Sequence, residues 1–127
     1  MSMKTEETEH GPVELWTPAE VARAHAEIVL IDVRSPQEFA LERIEGALLM
    51  PLQEFRPGRL PGQGGKRLVL HCGSGMRSGK AARMCLDAGI TPIAHMEGGM
   101  AAWKESGQEY IGTDMSTGAP KPMRQDA

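Results

Sequence analysis

The run Ile28-Val29-Leu30-Ile31-Asp32-Val33 is almost unbroken apolar sequence, and it leads directly into Ser35-Pro36-Gln37-Glu38. A strand that is apolar on both faces must be covered on both faces, the condition of a parallel sheet flanked by helices. The tetrapeptide after it has a hydroxyl at N-cap, proline at N1 and a carboxylate at N3, the reciprocal capping arrangement that opens a helix. Thr17-Pro18-Ala19-Glu20 repeats that signature. Four further short strands are expected at Val13–Trp16, Ala47–Met50 (stopped by Pro51), Leu68–His71 and Pro92–His95. Helices are expected over 78–88, closed by Gly89, and over 99–106, closed by Gly107. Strand–helix alternation of this kind implies an α/β fold with right-handed crossovers.

At 127 residues the chain has the length of one domain. Residues 1–11 and 112–127 lack periodicity and are expected to be a flexible N-terminal arm and a flexible C-terminal tail around a core at 12–111. The net charge of −3 argues against a general polyanion binder, and five aromatic residues are too few for a base-stacking platform. No apolar stretch approaches the roughly 18 residues of a membrane span, so neither nucleic acid nor membrane is an expected partner. The polar, acidic start MSMKTEETEHG has no apolar signal region, and two cysteines make no disulfide framework; both fit a reducing cytoplasm.

The chemistry is concentrated in Leu68-Val69-Leu70-His71-Cys72-Gly73-Ser74-Gly75-Met76-Arg77-Ser78. A buried strand ends at a cysteine, and a glycine-containing loop then enters a helix. Ligands of open α/β sheets bind at that strand edge. Gly73 and Gly75 let successive N–H groups converge into an anion nest, and the helix N-terminus adds partial positive charge. Both favour a Cys72 thiolate and an anionic ligand beside it. From Lys66 to Arg83 there are five basic residues and no acidic ones, against nine basic and seventeen acidic elsewhere, so positive charge is expected to gather around Cys72.

The chain resembles the single-domain rhodaneses, a family of sulfurtransferases, from Leu15 to Trp103. Leu30–Phe39 is similar to the family's first signature, and Ile44-Glu45-Gly46-Ala47 with Pro51 to its second. Cys72–Ser78 resembles the active-site loop, and Glu97-Gly98-Gly99-Met100-Ala101-Ala102-Trp103 the closing element. Arg43 stands where many members have His; a local packing change is expected there. The resemblance implies a five-stranded parallel sheet with helices on both faces. It also implies transfer of a sulfane sulfur through a Cys72 persulfide, from a small anionic donor to a thiol or cyanide. Gly73, Ser74, Gly75, Met76 and Arg77 would cradle the donor, with Arg77 also a principal support of the thiolate. Ser78 would donate a hydrogen bond to the site or simply cap the helix. No cofactor and no metal are implied, and the four histidines show no metal-ligand spacing with the cysteines.

Other residues have plainer readings. Asp32 and Arg34 are expected to form a structural pair. His71 should point away from Cys72, because strand neighbours alternate faces. Cys85 shares a helix face with Ala81 and Ala88, the pattern of buried packing more than of a resolving thiol. Trp103 is read as core. The rival enzyme class is a rhodanese-related phosphatase or arsenate reductase, whose loop has five residues between cysteine and arginine; here there are four. A scaffold without catalysis would not need the cysteine. A persulfide carrier handing sulfur to a protein partner remains open beside an enzyme acting on thiosulfate or a small persulfide.

Overall fold

The computed structural model describes residues 4–125. Its elements run β1 (Thr5–Thr8), β2 (Gly11–Trp16), α1 (Pro18–Arg23), β3 (Ile28–Asp32), α2 (Pro36–Leu41), β4 (Leu48–Leu49), β5 (Arg67–His71), α3 (Met76–Asp87), β6 (Ala94–Met96), α4 (Gly99–Glu105), β7 (Tyr110–Thr113) and β8 (Pro120–Met123). Both expected capping boxes are formed, at Thr17/Glu20 and Ser35/Glu38. The main sheet has the order β1-β2-β6-β5-β3-β4. Its last five strands are parallel, while β1 runs antiparallel to β2. Among the described residues no helix is long and apolar enough to cross a membrane.

The α/β architecture is as the sequence implies, with a sixth strand that it did not announce. Thr5–Thr8 lies in the segment expected to be a flexible arm, yet it forms the sheet edge. Thr8 Oγ1 donates to Gly11 O at 2.7 Å, and Gly11 turns the chain at φ +121°. Leu15 N–H then donates to Lys4 O, and Lys4 Nζ reaches Glu97 at 2.8 Å. The strand is held by backbone pairing and polar contacts, so its exposed Thr and Glu side chains leave no apolar period. The expected tail differs likewise. β7 and β8 form a separate antiparallel hairpin, turned at Asp114–Gly118, where Asp114 Oδ1 accepts from Ser116 N–H and Oγ–H. Residues 1–3, 126 and 127 of the two expected arms lie outside the described residues.

Alternation along the central strands sorts the core into two faces. Ile31 and Val33 of the β3 region and Leu68, Leu70 and Cys72 of the β5 region join Ala81, Ala82 and Cys85 of α3 on one face. Leu30 and Val69 point the other way, toward Val21 of α1 and Met100 and Trp103 of α4. Trp103 is core, as expected, with its indole N–H on Glu109 O.

The site end of the sheet is fixed by α4. The N–H groups of Met100 and Ala101 donate to the carbonyls of Cys72 (2.7 Å) and Gly73 (3.1 Å). That approach needs Gly99 at φ +60°: a Cβ there would strike the Cys72 carbonyl oxygen and come within 2.6 Å of the Gly73 carbonyl carbon. Left-handed strain and overpacking against backbone both cost free energy. Gly99→Ala should therefore lower stability by about 2–4 kcal/mol, measured as the urea midpoint; an unchanged midpoint would mean the two backbones are not locked together.

Candidate active site

β5 delivers Cys72 to the carboxyl edge of the sheet, between the central neighbours β3 and β6. The chain then turns through Gly75 at φ +111° and starts α3. Gly75 is the N-cap of that helix and has no side chain with which to cap it. The Cys72 sulfur takes that place. Sγ accepts the N–H of Gly75 at 3.1 Å and the N–H of Ser78, the third helical residue, at 3.3 Å. These are the otherwise unpaired amides of a helix start, and an anion is their natural partner. The Ser78 hydroxyl lies 3.6 Å from the sulfur. Ser78 is thus a neighbour of the thiol, and its alternative role as helix cap does not hold.

Burial opposes ionisation of Cys72, but the Ser78 hydroxyl and the amides of Ser78, Gly75 and Ser74 outweigh it and bring the thiol below its ordinary value. Cys85 is equally hidden and has no such donors; burial pushes its thiol up to about 12. The two cysteines are therefore chemically distinct: the surroundings of Cys72 favour ionisation and those of Cys85 oppose it.

Arg77 is occupied differently from what the sequence suggested. Its Nη1 and Nη2 donate to the two carboxylate oxygens of Glu38 at 2.7 and 3.0 Å. Glu38 also accepts the Ser35 N–H that starts α2. The Arg77 hydrogen bonds hold the Glu38 carboxyl down at about 2 against its burial, with Ser35 assisting. The support of the sulfur comes from amides and Ser78, with the guanidinium lying over the loop: a Cβ at Gly73 would be 3.0 Å from Nη2. Met76, also in the loop, is 82% exposed.

The expected gathering of positive charge around Cys72 occurs only in part, through Arg77 and Arg83. Lys66 precedes β5 and Arg67 opens it, and five residues at about 3.3 Å each put Arg67 some 16 Å from Cys72. Arg67 is at 3.2 Å from Glu14 there. Arg83 does line a groove beside the loop, with Ser74, Gly75, Met76, His95 and Glu97.

Asp32 and Arg34 form the structural pair that was expected, with Arg34 Nε and Nη2 on the Asp32 carboxylate and Nη2 also on Glu42 O. His71 points to that pair, its Nε2 3.4 Å from Asp32 Oδ2, and burial pushes its pKa down. Arg43 stacks over Phe39 at 5.6 Å from the ring centroid and bridges by backbone to Ile111. Two residues of the site were not read from the sequence: Glu38 as partner of Arg77, and His95, whose Nδ1 is 2.8 Å from Ser78 Oγ. Glu38 was visible only as a cap, and His95 only as a candidate ligand without partners.

A cysteine on this strand edge, capping the helix after a short loop, is accompanied by family evidence: the rhodanese-like domain matches residues 17–106. The chain belongs to the rhodanese-like family. It is 43% identical over 86 residues to an uncharacterized protein of Synechocystis, an alignment spanning 68% of this chain and 48% of that one. A protein named sulfurtransferase from Allochromatium vinosum is 30% identical over 87 residues, covering 67% of this chain and 79% of its own. The crystal structure of a rhodanese-related protein from Thermoplasma volcanium superposes with a TM-score of 0.68 at 25% identity, covering 75% of this chain and 94% of that one. The chain thus spans about half the length of the Synechocystis relative. The family's sulfur chemistry and the two thiol environments lead to one expectation. On a Cys85→Ala background, Ser78→Ala should raise the Cys72 thiol pKa more than Arg77→Ala does, read as thiolate ultraviolet absorbance against pH. The reverse order would return Arg77 to the sulfur.

Proposed function

We propose that this protein is a sulfurtransferase that carries a sulfane sulfur on Cys72. The observation that supports the reading best is the sulfur itself, hydrogen-bonded by two helix-start amides and adjacent to Ser78 at a strand edge. The thiolate attacks the outer sulfur of a donor such as thiosulfate. A new S–S bond forms, the donor's S–S bond breaks, and its electron pair leaves on sulfite. Cys72 is then a persulfide anion, held by the same amides. A thiophile, cyanide or a thiolate, attacks the outer sulfur, and the pair of the Cys72 S–S bond returns to Cys72 as thiolate. Two half-reactions sharing one enzyme-bound group give ping-pong kinetics.

Cys72 presents no surface, so the donor reaches it only when the Gly73–Met76 loop parts over the sulfur. With four residues between Cys72 and Arg77 the loop is one short of the phosphatase spacing, and a tetrahedral phosphate has less room than a single terminal sulfur. Gly73, Ser74, Gly75 and Met76 contribute backbone to this cradle. Arg77, bridged to Glu38, meets the anionic tail of the donor at its rim, for which thiosulfate or a low-molecular-weight persulfide is the fitting class.

Intact-protein mass spectrometry after incubation with thiosulfate or glutathione persulfide tests this. Wild type and Cys85→Ala should each gain one sulfur atom that cyanide removes, and Cys72→Ser should gain none. Sulfur located on Cys85 with Cys72 unmodified would end the assignment. A second measurement addresses the rim. Glu38→Gln frees Arg77 from its carboxylate and should lower the KM for thiosulfate. It should also remove the part of the protein's stability that the paired carboxylate supplies above its unfolded value near 4.5 and loses as pH falls toward about 2.

A further inference from the structure

The hydroxyl of Ser78 stands where three groups meet. Cys72 Sγ is 3.6 Å from it, Gly75 O 3.3 Å and His95 Nδ1 2.8 Å. A serine hydroxyl has one hydrogen to give and lone pairs to receive with, so its three neighbours cannot all be served alike. The carbonyl only accepts. His95 makes the shortest contact, and whether its Nδ1 carries hydrogen decides which way the hydroxyl faces. With Nδ1 bare, Ser78 donates to the ring and offers a lone pair to the thiol S–H. With Nδ1 protonated, the ring donates to Ser78 Oγ and the hydroxyl hydrogen is free for the sulfur.

We propose that His95 is a positioning residue for Cys72 that takes up the thiol proton through the Ser78 hydroxyl. The proton of Cys72 moves to Ser78 Oγ while the Ser78 hydrogen moves to His95 Nδ1. Each proton shifts one place and no electrons are transferred. The products are a thiolate, a neutral hydroxyl whose hydrogen now faces the sulfur, and an imidazolium that donates to the hydroxyl oxygen. The thiolate thereby gains a third donor beside the amides of Gly75 and Ser78. This rests on the reading of Cys72 as the sulfur carrier, and it adds a residue that the loop itself does not contain.

The surroundings of His95 suit the task. It lies on β6 opposite Leu70 of β5 and is 6% exposed. Its ring lies over Gly79 of α3, where a Cβ would come within 3.5 Å of Cε1. Burial pushes its pKa down, so the resting ring is neutral and can accept a proton. The imidazolium forms against that burial and is held by the thiolate created beside it. Glu6 and Glu97 favour the cation once it forms, and Arg83 opposes it. These three charged residues and His95 line the same groove.

The test uses the full chain on a Cys85→Ala background without any sulfur donor. Thiolate absorbance against pH is measured for the parent, His95→Gln, Ser78→Ala and the double variant. Each single change should raise the Cys72 thiol pKa, and the double variant should raise it no further than Ser78→Ala alone, because His95 acts through that hydroxyl. At neutral pH the rate of persulfide formation should fall roughly tenfold in His95→Gln and recover at alkaline pH, where the thiol ionises unaided. A loss of packing alone would not be repaired by alkali. Should His95→Gln not fold, the ring of His95 is followed by NMR in the parent and in Ser78→Ala, before and after alkylation of Cys72. Its titration should respond to alkylation in the parent and respond less without the hydroxyl. A thiol pKa unmoved by His95→Gln, additive effects in the double variant, or a ring that titrates identically throughout overturns the relay. The thiol titration needs no donor, so a protein that takes up no sulfur but passes it loses the proposed function and keeps the relay.

Discussion

A sulfur atom standing in for a missing cap is the interaction on which the site depends. α3 begins at a glycine that has no side chain to satisfy its first amides, and Cys72 supplies the acceptor from three residues earlier. Folding and reactivity are joined by that substitution. The helix start is best satisfied by a charged acceptor, and that acceptor is the sulfur of the proposed nucleophile. The usual conflict between burying a group and ionising it is resolved because the burial is by donors. Cys85, on the same helix and against the same core, shows the outcome where the donors are missing.

Two further loops hold this arrangement from outside. Gly98 and Gly99 at the start of α4 let that helix bond the carbonyls of Cys72 and Gly73, so the strand end is held in place while the loop turns. On the other side Glu38 joins the first turn of α2 to Arg77, making one carboxylate serve a cap and an ion pair together. The starts of α2, α3 and α4 thereby meet around the loop that follows the sulfur.

What the sequence made legible is what is written locally. The apolar run at Ile28–Val33, the two Pro-containing caps and the order strand–cysteine–glycine–helix each lie within about ten residues, and each was formed as read. Contacts set by register were not legible. Glu38 and Arg77 are 39 residues apart. His95 reaches Ser78 only because β6 lies beside β5 in a given alignment. Lys66 and Arg67 look like neighbours of Cys72 until the strand between them is extended. The β1 hairpin carries polar side chains on an exposed edge, so it has no periodicity to find.

The concealment of Cys72 bears on how the protein endures oxidants. A thiolate is the form of cysteine that peroxides and disulfides attack first, and an exposed one ends in mixed disulfides or higher oxides. Joining two chains through Cys72 would bring the carbon chain of a second cysteine, as well as its sulfur, under the loop that closes over Cys72. A terminal sulfur at the tip of a small anion is one atom wide, whereas the sulfurs of an ordinary disulfide carry carbon on both sides. A loop closed over the sulfur of the proposed nucleophile thus disfavours reagents that are bulky on both sides of the sulfur they present.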